Sequence, residues 1–204
     1  MTRWQVEPPE GIEAPGQYTV IESPSGAKYD GTRYGNRDDA RRVADHLNRE
    51  VMKSALDMAM TVHGHQVDKA GRPYMGHVLR VAGTVAPPAG LGKIDEVLWC
   101  VALLHDVLED CPAAIREDYR KMIRRECGQR VHDAVIALTR AEGEPYLEDY
   151  IPRVAGNVYA TQVKIADLRH NLDASRLPEP PNPARIEKYE QALAYLLRTS
   201  SGSL

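Results

Sequence analysis

One stretch limits what this chain can fold into: eight consecutive apolar residues, 97–104, lead directly into the sequence HDVLED of residues 105–110. The apolar run is too short to span a bilayer, so we expect no membrane-spanning segment. We predict that Asp95 to Leu108 forms a central, buried helix. Burying a histidine and three acids is costly unless a partner compensates them. The segment therefore predicts either a binding site or a helix end that leaves the core.

The polar residues of this segment have helical spacing. His105 and Glu109 are four residues apart, and so are Asp106 and Asp110, so each pair would stack on one side of a helix. The adjacent His105 and Asp106 can both reach one metal ion near the helix wall. On periodicity alone, an amphipathic helix with a solvated acidic end explains the pattern equally well.

The chain from residue 49 onward has helical periodicity and no alternating segment. Helices are expected over about 49–64, 74–85, 113–126, 129–139, 146–155, 158–173 and 183–198. Pro152 lies inside the 146–155 pattern and makes that helix the weakest prediction. This body of the chain therefore predicts an all-α fold.

The first 48 residues differ in pattern. Residues 1–16 carry four charges, three prolines and two glycines and are expected to form a loose arm. Residues 17–22 and 27–34 flank the turn signal of residues 23–26, which is typical of a β-hairpin. A helix to residue 48 would follow. We predict a helical bundle over 49–204 with a small N-terminal ββα appendage over 1–48.

Composition excludes several classes of protein. The formal net charge of −3 and the isoelectric point of about 6.2 argue against a nucleic-acid binder that relies on bulk charge. The three cysteines have no metal-type spacing, and their odd number suits the reducing cytoplasm. The N-terminus has no apolar core of a secretory signal. We expect a small anionic ligand, no nucleic-acid or membrane partner, and leave a homo-oligomer open.

Two other segments favour a site over a solvated helix end. The sequence HGHQVDKAGRPYMGH, residues 63–77, contains three histidines ahead of or inside a predicted helix start. The sequence VKIADLRHNL, residues 163–172, places Asp167 within an apolar helix and Asn171 one turn further on. A lone buried aspartate is costly, whereas one that ligates a divalent cation is not.

Together the three segments form the ordered set H-x-x-Q-x-x-K-x-G-x-P-Y-x-x-H, LLHDxxED and KxAD-x-x-x-N. This set resembles the HD-domain hydrolases of the RelA/SpoT class, especially small alarmone hydrolases such as the metazoan SpoT homologue, over about residues 50–178. The resemblance implies an all-α HD-domain helical bundle. It also implies a hydrolase that removes the 3′-pyrophosphate of ppGpp or pppGpp and lowers alarmone in the stringent response.

The resemblance also implies roles for individual residues. One Mn²⁺ would be held by four side chains, His77, His105, Asp106 and Asp167, a nitrogen and oxygen donor set that Mn²⁺ accepts. Glu109 and Asp110 would act in the water-activating step. The nucleotide would contact Lys69, Asn171 and Leu177, with Tyr74 as a further candidate.

Some questions stay open at this point. The family pattern differs here at Asp68, Ala70 and Ala174 near the base, so ppApp or NADPH could replace a guanosine substrate. A non-catalytic metal- or nucleotide-binding sensor is the alternative outside enzymes, and the acidic pair at 109–110 argues against it. Only 26 residues follow Pro178, so we expect a hydrolase without a synthetase domain.

Neighbouring polar residues are expected to be peripheral. Successive helical residues are about 100° apart, so His170 should turn away from Asn171. Arg153 and Lys164 are candidate phosphate-binding cations, but we expect ordinary solvated charges. For His63, a structural role beside the site and a role in catalysis both stay open.

Overall fold

The computed structural model describes residues 3–7, 18–23, 28–34, 37–68, 71–85, 95–173 and 182–201. Within them, three strands precede eight helices: β1 (Arg3–Glu7), β2 (Tyr18–Ser23), β3 (Lys28–Tyr34), α1 (Arg37–His63), α2 (Met75–Val85), α3 (Glu96–Leu104), α4 (Val107–Asp110), α5 (Arg116–Leu138), α6 (Ile151–Ala155), α7 (Val158–Asn171) and α8 (Pro183–Ser201). From residue 37 onward, the described residues form helices, turns and one isolated bridge. None of the described helices has both the length and the hydropathy needed to cross a membrane.

Helix α3 is the centre of the helical domain. It packs against α1, α2, α5 and α7, and its residues from Cys100 to Leu104 are fully buried. Asp95 caps its start, because its carboxylate accepts a hydrogen bond from the Leu98 amide at 3.1 Å. The predicted central helix is confirmed over 96–104.

The predicted end of this helix at Leu108 is wrong. α3 ends at Leu104, and His105 and Asp106 form a turn before α4 begins at Val107. Asp106 has φ −107° and ψ −4°, in the sparsely populated bridge region where many site residues lie. The Asp110 amide still donates to the Asp106 carbonyl at 3.0 Å, so the four-residue spacing of the two acids is retained.

Helix α5 bends at Gly128, which has φ 81° and ψ 171°. Glycine adopts this positive φ without steric cost, whereas other residues do not. The bend separates two helical segments that correspond to the predicted helices over 113–126 and 129–139. One described element therefore contains both predicted ones.

The segment around Pro152 is helical in two steps. A π-helical turn, Tyr146–Tyr150, leads into α6, and Pro152 lies in the first turn of α6. A proline is tolerated there because its missing N–H has no helical acceptor. The helix predicted over 146–155, which Pro152 made the weakest prediction, is therefore divided into a π-helical turn and a short α-helix.

Arg153 has a structural role that the sequence did not indicate. Its guanidinium donates to the carbonyls of Ile136 and Ala137 at 2.9 Å, to that of Thr139 at 3.0 Å, and to Glu144 at 2.7 Å. These carbonyls lie at or just after the C-terminal end of α5, where carbonyls run short of helical partners. Arg153 therefore ties α6 to the end of α5, and the expectation of a solvated charge is wrong.

The N-terminal strands form an antiparallel sheet in the order β1-β2-β3, and β1 and β2 lie against α1. β2 and β3 lie within one residue of the two predicted hairpin strands. The expectation of a loose arm is wrong for residues 3–7, which pair with β2. Helix α1 runs without interruption through residue 48, so the two helices predicted on either side of that residue form one helix. The division into domains 1–48 and 49–204 stays a prediction.

Candidate metal centre and active site

Polar side chains from three parts of the helical domain lie close together in its interior. His77 lies in the first turn of α2, His105 and Asp106 form the turn after α3, and Asp167 lies on α7. Because α3 packs against both α2 and α7, these positions meet. His77, His105 and Asp167 are only 3%, 2% and 4% exposed, so their polar atoms must be satisfied inside the protein.

The donor atoms of these side chains are close together. Nε2 of His77 lies 3.2 Å from Nε2 of His105 and 3.3 Å from Oδ1 of Asp167. Oδ2 of Asp106 lies 3.0 Å from Nε2 of His105 and 3.8 Å from Nε2 of His77. Ligands at about 2.1 Å from one divalent cation are about 3.0–3.4 Å from each other. The His77–His105, His77–Asp167 and His105–Asp106 spacings are therefore close to the edges of a coordination polyhedron, whereas Asp106 lies further from His77. The structure brings donor atoms of His77, His105 and Asp167 within 4.8 Å of one another, and Asp106 lies at the side of this group.

The imidazoles are oriented for such a role. Nδ1 of His105 lies 2.7 Å from the carbonyl of Ala102, which makes Nδ1 the donor in the neutral ring. When His105 is neutral, the lone pair on its Nε2 therefore points toward Asp106 and Nε2 of His77. Lone pairs and carboxylates that converge in a buried site repel each other unless a cation or protons separate them. The residues present thus fit a divalent cation.

The pKa values of these groups show the same excess of negative charge. Burial lowers the pKa of His105, but Asp106, Asp167 and the Ala102 carbonyl together raise it to about 9. Burial raises the pKa of Asp106, yet its neighbour His105 holds it well below the usual range. Asp167 is likewise buried, and Lys164 together with the two histidines holds its pKa well below the usual range. The carboxylates are ionised, and His105 binds a proton tightly.

Three further residues hold the candidate ligands in place. The hydroxyl of Tyr74 donates to Oδ2 of Asp106, and the side-chain amide of Asn171 donates to Oδ1 of Asp167, both at 2.5 Å. Lys164 donates to the other oxygen of Asp167 at 2.7 Å, and its side chain is only 14% exposed. The expectation that Lys164 is an ordinary solvated charge is therefore wrong.

The cluster opens into a cavity of about 590 Å³, within the size range of small-molecule sites. The described residues that line it come from the 66–74 loop, α4, α7 and α8. They are Gln66, Val67, Asp68, Tyr74, Asp106, Glu109, Asp110, Lys164, Asp167, His170, Asn171, Arg185 and Tyr189. Of the candidate ligands, Asp106 and Asp167 therefore face a space that can take a nucleotide-sized molecule.

Glu109 and Asp110 lie at the wall of this cavity. Glu109 accepts a hydrogen bond from the backbone amide of Arg140 at 2.6 Å, which fixes one carboxylate oxygen. Oδ2 of Asp110 lies 3.6 Å from Nδ1 of the buried His63, and that nitrogen is hydrogen-bonded to Gln66 at 2.8 Å. Desolvation raises the pKa of both carboxyls above their ordinary values. Both are therefore better proton acceptors than an ordinary solvated carboxylate.

A smaller cavity of about 150 Å³ adjoins the main one and shares Glu109, Lys164 and Tyr189 with it. Three cationic side chains line this annex. Lys188 lies over the Tyr146 ring at 4.7 Å, Arg140 over the same ring at 5.9 Å, and Lys164 over the Tyr150 ring at 5.4 Å. The annex therefore combines positive charge with aromatic faces.

The predicted nucleotide contacts are only partly described. Tyr74 and Asn171 line the main cavity, while Lys69 and Leu177 lie outside the described residues. Sequence reasoning missed Arg185 and Tyr189, because α8 follows a proline-rich segment and carries no buried charge that would mark a site. It also discounted His170, which contacts His77. The spacing of three between Asp167 and His170 was the available signal, since such residues share a helix face.

Comparison with known proteins agrees with this geometry. A profile of the HD domain family matches residues 55–175, the part that contains the cluster. The chain is 28% identical over 138 residues to "GTP pyrophosphokinase rsh" of Brucella ovis and 31% identical over 133 residues to "GTP pyrophosphokinase" of Myxococcus xanthus. These matches cover 65% and 60% of this chain but only 18% and 17% of the relatives.

Two further comparisons name hydrolases. The chain is 29% identical over 149 residues to "Bifunctional (p)ppGpp synthase/hydrolase RelA" of Mycobacterium tuberculosis, which covers 71% of this chain and 20% of that protein. A solved structure described as "A metazoan ortholog of SpoT hydrolyzes ppGpp and plays a role in starvation responses" has a TM-score of 0.58 and 23% identity, and covers 73% of this chain and 84% of that one. The structural match supports a shared fold.

Proposed function

Because this chain belongs to the HD domain family, we propose that it is a metal-dependent phosphohydrolase that removes the 3′-pyrophosphate of ppGpp and pppGpp. One observation carries the proposal. Two imidazole nitrogens and two carboxylates converge in a buried cluster, and two further carboxylates, Glu109 and Asp110, stand at the wall of the adjoining cavity. This is the donor and base arrangement that metal-assisted hydrolysis requires.

In this proposal His77, His105, Asp106 and Asp167 hold one Mn²⁺. Two nitrogens and carboxylate oxygens form a borderline-hard donor set that suits Mn²⁺. Among the described residues, no cysteine belongs to this donor set. When bound, the cation supplies positive charge at the attacked phosphate and acidifies a water molecule beside it. The remaining chemistry falls to the side chains of this chain.

The acidic pair accounts for proton transfer. Hydrolysis forms a bond between a water oxygen and the phosphorus attached to the ribose 3′ oxygen. The bond between that phosphorus and the 3′ oxygen breaks. One proton must leave the water, and one must reach the 3′ oxygen. Glu109 and Asp110 lie beside the cluster with pKa values raised by burial, so they are suited to accept and return a proton. GDP or GTP and pyrophosphate are the products.

The cations near the cavity favour a substrate that carries several phosphates. Lys164 and Arg185 line the main cavity, and Arg140 and Lys188 line the annex, although the whole chain has a net charge of −3. Such side chains can donate to phosphate oxygens, while the carboxylates that line the main cavity would need the bound cation to offset their charge. Relatives whose names include GTP pyrophosphokinase and (p)ppGpp hydrolase support a hyperphosphorylated guanosine.

One feature keeps a different base in consideration. Asp68 lines the cavity on the loop that would meet the nucleobase, at a position where the resembled family carries a basic residue. Hydrolysis of ppApp or of the 2′-phosphate of NADPH by the same residues is therefore the second candidate. The cytoplasmic location and the absence of synthetase activity stay predictions.

A substrate panel tests the proposal. The purified protein, with Mn²⁺, is incubated with ppGpp, pppGpp, ppApp and NADPH, and chromatography identifies the products. We expect GDP and pyrophosphate from ppGpp, GTP and pyrophosphate from pppGpp, and loss of both activities when EDTA replaces Mn²⁺. Turnover of only ppApp or NADPH would move the assignment to that nucleotide. No turnover of any member would reject a hydrolase acting on these compounds.

A further inference from the structure

His170 contacts His77 in a way that differs from ring stacking. Their Nδ1 atoms are 2.6 Å apart, their rings are inclined by 11°, and their centroids are separated by 4.9 Å. The centroid separation exceeds the N–N distance by about 2.3 Å. This difference equals twice the distance from the centre of an imidazole ring to one of its nitrogens, so both centroids and both Nδ1 atoms lie nearly on one line. The rings therefore lie edge to edge in nearly one plane, which is the geometry of an N–H···N hydrogen bond.

The direction of this hydrogen bond follows from the surroundings of His77. Nε2 of His77 faces His105, Asp106 and Asp167 and must keep its lone pair if it binds a cation. A neutral imidazole carries one proton, so the proton of His77 must then be on Nδ1. Nδ1 of His77 donates, and Nδ1 of His170 accepts.

We propose that His170 is a positioning residue that fixes the ring orientation and the tautomer of His77 for metal binding. The inference rests on the metal centre of the proposed function. A ligand histidine in metalloproteins generally donates its second ring N–H to an acceptor, which orients the ring and strengthens ligation. His105 meets this requirement with the backbone carbonyl of Ala102, at 2.7 Å. His77 meets it with a side chain, which a substitution can remove.

The location of His170 suits this role. It lies three residues after Asp167 on α7, so one face of α7 presents both a candidate ligand and the acceptor for a second ligand. His77 comes from α2, which packs against α7. The hydrogen bond from α2 to α7 therefore holds His77 at the side of Asp167, where their donor atoms are 3.3 Å apart.

Two substitutions separate positioning from bulk. His170→Phe keeps a planar ring but removes the acceptor, and His170→Asn places an amide oxygen near the position of Nδ1. The dissociation constant of Mn²⁺ is measured by electron paramagnetic resonance of the free ion. We expect His170→Phe to weaken Mn²⁺ binding 10- to 100-fold and His170→Asn to restore most of the affinity. The control His132→Phe, a partly buried histidine of α5 that does not belong to the cluster, should bind Mn²⁺ like the wild type.

A spectroscopic measurement tests the hydrogen bond itself. In metal-free protein with ¹⁵N-labelled histidine, a scalar coupling between the two Nδ1 nuclei is expected and should vanish in His170→Phe. Unchanged Mn²⁺ affinity in a folded His170→Phe variant, or absence of this coupling in the wild type, would overturn the inference. Failure of the wild type to bind Mn²⁺ would instead reject the proposed metal centre, and the coupling would still decide whether the two rings are bonded.

Discussion

The hydroxyl of Tyr74 donates a hydrogen bond to Oδ2 of Asp106 across 2.5 Å, linking the loop before α2 to the turn after α3. Burial and the Asp106 charge raise the pKa of Tyr74 far above its ordinary value, so the phenol is a permanent donor. The same carboxylate lies 3.0 Å from Nε2 of His105. Tyr74 therefore fixes the orientation of one candidate ligand.

Tyr74→Phe should weaken metal binding without unfolding the protein. The ring that packs against His63 and His77 is retained, and only the donor to Asp106 is lost. Loss of such a contact to a ligand typically lowers metal affinity about tenfold or more. Mn²⁺ titration followed by electron paramagnetic resonance measures the change, with Tyr119→Phe on α5 as control. Equal affinity in Tyr74→Phe and the wild type would exclude this role.

Glu109→Gln should keep the metal and slow the reaction. Glutamine preserves the oxygen that accepts the Arg140 amide but cannot take a proton. We expect kcat for ppGpp to fall roughly a hundredfold, the usual scale for loss of an acid–base group. Steady-state kinetics with saturating Mn²⁺ measures kcat, and Glu117→Gln on the exposed side of α5 is the control. An undiminished kcat would remove Glu109 from proton transfer.

Metal affinity should depend on pH because of His105. Its pKa is raised to about 9 in the metal-free protein, because the charges of Asp106 and Asp167 and the hydrogen bonds to Asp106 and to the Ala102 carbonyl together outweigh the effect of burial. The ring is therefore protonated below pH 9, and a cation must displace that proton. The Mn²⁺ dissociation constant should fall about tenfold per unit between pH 6.5 and 8.5. A pH-independent constant, or no proton release in calorimetry, would contradict this.

Lys164→Met tests the charge balance of α7. Lys164 and Asp167 have side chains only 14% and 5% exposed, and removing one member of a buried pair leaves the other uncompensated. We expect the free energy of unfolding of the metal-free protein to fall by about 3 kcal/mol. Mn²⁺ should raise the melting temperature of the variant more than that of the wild type.

An exposed lysine gives the matched control for that experiment. Lys53 and Asp57 form an i,i+4 pair whose side chains are 69% and 66% exposed, so Lys53→Met should change the unfolding free energy by less than about 0.5 kcal/mol. Denaturant titration measures both variants. Equal stabilities for Lys164→Met and Lys53→Met would show that the buried pair does not contribute to stability.

Much of the helical domain could be predicted because its signals are local. The apolar run ending at Leu104 predicted the buried α3, and the gap between predicted helices at Gly128 coincides with the bend in α5. Pro152 predicted a weak helix where the chain forms a π-helical turn and then α6. Periodicity alone could not predict the turn at His105 and Asp106, because both residues also fit a continuing helix.

The parts of the site that depend on tertiary contacts were less accessible. The spacing of polar residues in three segments and the resemblance they form indicated His77, His105, Asp106 and Asp167 before their distances were known. Lys164, in contrast, looks like any solvated lysine until α7 packs and buries it beside Asp167. His170 meets His77, and Arg185 and Tyr189 line the cavity, only after α7 has packed against α2 and α8.

Metal stoichiometry tests the central claim most directly. Electron paramagnetic resonance of the purified protein titrated with Mn²⁺ counts bound ions, and Asp106→Ala is compared with Asp118→Ala on the exposed side of α5. We predict one tightly bound Mn²⁺ per chain in the wild type and in Asp118→Ala, and none in Asp106→Ala, with unchanged helical circular dichroism. A four-residue metal centre would be contradicted if the wild type bound no Mn²⁺, or if Asp106→Ala bound one Mn²⁺ per chain as tightly as the wild type.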